Sequence, residues 1–147
     1  MKARAARRLL LFASGTALAL GGPAAPAAAD PRLDYMLQCQ GCHRADGSGS
    51  PGGVPDLREH LGDFATMPGG REYLVRVPGS AQSPLSDGEL AAVLNWMIRR
   101  FGSADAADGF VPFSADEVGR VRRPLADVEA VRRGLLDRIA PARLVPR

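Results

Sequence analysis

The sequence predicts an all-α fold. Apolar residues recur at helical spacing over Leu90, Val93, Leu94, Met97, Ile98 and Phe101. Ser86-Asp87-Gly88-Glu89 and Ser114-Ala115-Asp116-Glu117 are capping boxes that mark two helix starts. No convincing strand pattern precedes the chain's one cysteine cluster.

The N-terminus reads as a secretory signal. Lys2, Arg4, Arg7 and Arg8 form a basic patch, an apolar run extends from Leu9 to Leu20, and Ala27-Ala28-Ala29 precedes Asp30. About a dozen apolar residues is short of the roughly 20 that a spanning helix needs. Cleavage is therefore expected after Ala29. The whole chain has 19 Lys+Arg and 16 Asp+Glu, for +3. The segment 1–29 holds four of those bases and no acid, so residues 30–147 carry 15 bases against 16 acids. No nucleic-acid function is read from that balance, because binding phosphate needs a basic surface on the mature fold. No stable membrane span is expected once the signal is removed.

Both cysteines fall in Cys39-Gln40-Gly41-Cys42-His43. A disulfide here would close a tiny loop and constrain the unfolded chain little. A thioredoxin-like centre wants a βαβ setting. A zinc site needs about four ligands, and His60 is the only further histidine in a chain with no further cysteine. Covalent haem uses all three residues: two thiols for the vinyl groups and the adjacent imidazole for the iron. The expected cofactor is one haem c with its iron, bound at Cys39 and Cys42, with His43 as proximal ligand.

The elements follow in order. Leu33, Met36 and Leu37 share a helical face and predict a helix from about Pro31 to Gln40, with Pro31 in its first turn. Ala45 to Pro55 is loop by composition. Asp56 to Leu61 reads as a short helical turn, and Arg71 to Val77 as another, ended by Pro78-Gly79. The clearest helix starts at Ser86, carries Arg99 and Arg100 where cations favour the dipole, and stops at Gly102. Ala104 to Gly109 reads as a linker. Ser114 starts a short helix to about Arg123, and a last one runs from Asp127 to Ile139 with Val128, Val131, Leu135 and Ile139 on one side. That stripe must cover this chain or a partner. Trp96, Arg71 and Arg76 could reach haem propionates; core packing for Trp96 and a solvated face for the arginines are the plainer readings.

From about Asp30 to Gly102 the chain resembles a small monohaem c-type cytochrome of the class I type. The likeness rests on the Cys39–His43 motif, Asp46-Gly47-x-Gly49, Val54-Pro55-Asp56-Leu57 and the closing amphipathic helix. It implies a cytochrome c-like helical domain over 30–102, between the signal peptide 1–29 and a helical extension 103–147. It implies crossed first and last helices, a haem crevice with one exposed edge, and a proline carbonyl (Pro51 or Pro55) bonded to the His43 ring.

The resemblance breaks at the second axial ligand. The family brings a methionine from the loop before the last helix, and here that loop, Pro78 to Pro84, has none. Met67, in a Met-Pro pair, is the first substitute. Met97 and His60 stand behind it, and an open sixth position remains.

The expected function is that of an electron carrier, not an enzyme. It would be periplasmic and pass single electrons between protein partners such as a dehydrogenase, a reductase or an oxidase. The alternatives are a haem subunit of a larger oxidoreductase, suggested by the extension, and a five-coordinate ligand-binding or peroxidatic haem protein, suggested by the missing loop methionine.

Overall fold

In the computed structural model the described residues are 30–50 and 52–142. The expected signal peptide and Pro51 lie outside the described residues. The described residues form helices and no strand. None of these helices is long and apolar enough to cross a membrane.

Helix α1 (Pro31–Gln38) starts at Asp30, whose carboxylate accepts from the Arg32 N–H. It breaks at Cys39, the N-cap of the single turn α2 (Gln40–His43). The face chosen from the sequence is not the buried one. Leu33, Met36 and Leu37 are exposed at 49%, 47% and 68%, whereas Tyr35 is buried. One aromatic anchor outweighs the three-residue stripe. The Tyr35 ring packs against Trp96 and Phe101 with centroids 5.1 and 5.3 Å away. Its hydroxyl donates to the carbonyl of Arg44, which ties α1 to the chain just after His43.

Helix α3 (Leu57–Thr66) extends beyond the turn expected over Asp56–Leu61. Gly62 sits mid-helix, where local propensity argues against a helix. Tertiary packing overrides it: a Cβ there would collide with the Ala106 methyl, so the glycine permits a close helix approach. Helix α4 (Gly70–Arg76) matches its expectation. The turn α5 (Pro78–Ala81) then leads to α6 (Asp87–Phe101). Both halves of the α6 capping box form, at 2.7 Å from the Ser86 N–H to Glu89 and 3.3 Å from the Glu89 N–H to Ser86. Gly102 ends α6 in an extended conformation, with φ −68°.

The stretch expected as a linker is helix α7 (Ala104–Gly109), capped by Ser103. Two further helices, α8 (Ala115–Val121) and α9 (Val128–Ala142), complete the fold. α6 is the central element, with α1, α3, α7 and α8 packed around it.

The extension joins this core. Phe113, Val118, Leu135 and Ile139 are buried with Val93, Ile98 and Phe101 in one cluster. Thus α9 covers its stripe on this chain through Leu135 and Ile139, leaving Val131 exposed. Polar contacts fix the same junction. The Asn95 amide accepts from the Phe113 N–H at 2.7 Å and donates to the Phe113 carbonyl at 3.0 Å. Arg71 pairs with both Glu117 oxygens at 2.8 and 2.7 Å. Arg122 donates to the carbonyls of Ser83 and Leu85, both at 2.7 Å, and to Asp87 at 3.0 Å. It therefore staples the connection before α6.

Because the extension and the 30–102 stretch share one core, Leu135→Ala should destabilise the whole described fold by about 2–5 kcal/mol in a single transition. Urea unfolding followed by fluorescence and circular dichroism checks this. Two separate transitions, with only the weaker one shifted, would contradict it.

Candidate haem site

The site begins at the turn that ends α1. Cys39 closes α1 by donating its N–H to the Tyr35 carbonyl at 2.9 Å, and the His43 N–H then returns to Cys39 at 3.0 Å. This turn brings Cys39, Cys42 and His43 to the wall of a single cavity of about 440 Å³. Leu61 and Phe64 of α3 line it with Tyr73 and Leu74 of α4. Leu90, Val93, Leu94 and Met97 of α6 complete the apolar wall.

The loop after His43 folds back tightly. The Leu57 N–H donates to the Gly47 carbonyl at 2.9 Å, and the Ser50 N–H to the Val54 carbonyl at 3.0 Å. Gly47 has φ +78°, and a Cβ there would lie 2.8 Å from the Phe101 ring. This fold-back delivers Pro55 to His43. The His43 Nδ1 lies 3.2 Å from the Pro55 carbonyl oxygen. A carbonyl can only accept, so Nδ1 carries the proton and Nε2 keeps its lone pair for a metal. Of the two prolines read from the sequence, Pro55 makes this contact; Pro51 is not among the described residues.

Burial lowers the His43 pKa, opposed in part by the Pro55 bond. The ring is thus held towards the neutral, ligating form. Burial, with smaller contributions from Asp34 and Cys42, pushes the Cys39 thiol up to about 11. A redox-active Cys-x-x-Cys pair needs the opposite shift, towards a stabilised thiolate.

The candidate sixth ligands separate by position. Met97 and His60 line the cavity, and Met67, the first choice from the sequence, does not. Met67 is the extended C-cap of α3 and packs on the core. The His60 Nδ1 lies 3.1 Å from Asp63. The connection before α6 contributes Pro78, Gly79, Ser80, Ser83 and Leu85, none of them a thioether or an imidazole.

The propionate candidates separate as well. Arg71 is held by Glu117 and Arg76 by Glu72. Trp96 packs with Tyr35 and Phe101 and is absent from the cavity wall. Sequence reading missed Arg132, which lines the cavity from α9. Its position followed the helical stripe of α9 by one residue, but nothing local shows where α9 docks.

The cavity fits a haem by the chemistry of its walls: two thiols beside an oriented imidazole, around an apolar space. A cytochrome c-552 of Thermus thermophilus is 39% identical to the chain over 123 residues, covering 71% of this chain and 82% of the relative. The chain belongs to the c-type cytochromes. A second cytochrome c-552 from Thermus thermophilus is 38% identical over 103 residues, covering 58% of this chain and 79% of the relative. No protein-family model matches. In this cytochrome the likeness to the first relative spans more residues than 30–102 can supply.

Gly47→Ala should cost this cytochrome about 1–3 kcal/mol, because the left-handed backbone and the Phe101 ring both oppose a Cβ. Chemical denaturation checks the value. A change within about 0.5 kcal/mol, the range of an ordinary surface substitution, would contradict the loop geometry.

Proposed function

We propose that this cytochrome holds one haem through thioether bonds from Cys39 and Cys42, with His43 on the iron, and passes single electrons between protein partners in the periplasm. One observation carries the reading: His43, oriented by Pro55 at 3.2 Å, shares an apolar cavity with both cysteines. Each thiol S–H adds across a vinyl double bond, so no group is released. Bound haem supplies a reversible one-electron couple. The chain supplies orientation of the imidazole, an apolar wall that excludes water, and thioether anchors that prevent loss of the group.

Export explains the compartment. The basic, apolar and small-residue segments of residues 1–29 have the order of a signal peptide. The maturation that forms thioether bonds would follow export.

For the sixth position, the cavity wall favours Met97 and His60 over Met67. The His60 ring is held through Nδ1 by Asp63, leaving Nε2 as its free nitrogen. Met97 would supply a thioether, which raises the potential relative to histidine. A second reading rests on the connection before α6, which brings no such group to the cavity. In that reading the iron takes small ligands from solution.

The distinguishing measurement is the optical spectrum of the matured protein, oxidised and reduced, before and after carbon monoxide. The carrier reading expects a low-spin oxidised spectrum and little carbon monoxide binding. Met97→Leu would abolish a thioether-to-iron band, and His60→Ala would abolish bis-imidazole features. A high-spin spectrum and rapid carbon monoxide binding would replace the carrier with the ligand-binding reading. No covalent haem spectrum would sink both.

A further inference from the structure

We infer that Asp34 of α1 takes up a proton when this cytochrome takes up an electron, so that the two transfers are coupled. This rests on the haem reading above and adds a group that sets how the couple responds to pH.

Asp34 stands close behind the haem anchor. It lies five residues before Cys39, about 7.5 Å along the helix axis. Gln38, one turn after Asp34 on the same face of α1, lines the cavity. The carboxyl group is therefore one turn removed from the cavity wall. Its charge is felt at Cys39, where it adds to the burial that raises the thiol.

The surroundings of Asp34 oppose its ionised form. The residue is half-buried, and its Oδ2 is shut off from solvent with no hydrogen-bond partner among the described residues. A carboxylate oxygen without water or a donor is costly while charged. No ion pair to Asp34 is found among the described residues. The charged groups that face it are both acidic: Glu89 of α6, which packs against α1, and Asp30 at the start of α1. Each of these has a donor. Glu89 accepts from the Ser86 N–H, and hydrogen bonding to Ser86 holds its carboxyl below the usual range. Asp30 accepts from the Arg32 N–H. Asp34 is thus the member of the trio on which a proton relieves most. Burial, then Glu89 and Asp30, raise its pKa above the ordinary carboxylate value. The exposed part of the residue leaves the proton a path to water.

The coupling follows from charge. One electron arriving from a partner removes one positive charge from the site, and Asp34 then binds one proton from solvent. Oxidation returns both. Ionised Asp34 favours the more positive oxidised form, so the couple falls as pH rises through its titration.

The test is spectroelectrochemical titration of the haem-loaded wild type and Asp34→Asn from about pH 4 to about pH 8. At the upper end, the wild type's oxidised-to-reduced ratio at a fixed potential should exceed that of Asp34→Asn about two- to tenfold, where tenfold equals 59 mV for one electron. At the lower end the two should converge. Glu89→Gln keeps the capping acceptor but removes a facing charge, and should move the inflection to lower pH. Reduced-minus-oxidised infrared spectra of the wild type near the inflection should show a gain of protonated carboxyl that Asp34→Asn lacks. An Asp34→Asn couple with the full wild-type pH dependence would overturn the inference, and so would wild-type spectra without the carboxyl gain. Absence of covalent haem in the wild type would instead overturn the haem reading, and this inference with it.

Discussion

A large apolar cavity inside a small chain is the constraint on which the rest of the structure depends. Its walls are mostly apolar, so an apolar occupant seated against them is taken out of water, and a haem held through Cys39 and Cys42 would supply that apolar surface. The placement of α3, α4 and α6 then reads as three sides of one enclosure, each giving its apolar face to the cavity.

The same constraint explains the polar contacts. His43 cannot wander, because Tyr35 ties α1 to the residue after it and Pro55 holds its ring. Pro55 is in reach only because the glycine loop turns back on itself, with Gly47 pressed against Phe101. The connection before α6 is in turn fixed by Arg122 from α8. The turn that carries His43, the connecting loop and the extension thus form one supporting frame.

How much of this the sequence revealed depends on how local each signal is. α6 was legible because its cap, stripe and stop all lie within about seventeen residues. The Cys39–His43 motif was legible because its chemistry sits in five consecutive residues. α3 was read short because Gly62 argues against a helix locally, and only its contact with Ala106 explains it. α7 passed for a linker because its alanines and aspartates lack a stripe; its one buried residue is Ala106. In α1 three apolar residues point to one face, but a single tyrosine decides the packing. The position of Met67 off the cavity wall, and of Arg132 on it, depends on how distant segments dock. No spacing in the sequence encodes that.

The most direct measurement is the intact mass of the protein after expression with haem-maturation machinery, followed by peptide mapping. The expected result is a chain beginning at Asp30 whose mass is increased by one haem, with the added mass on the peptide containing Cys39 and Cys42. A chain with no added mass, whose two thiols are free or joined to each other, would contradict a haem held in this cavity.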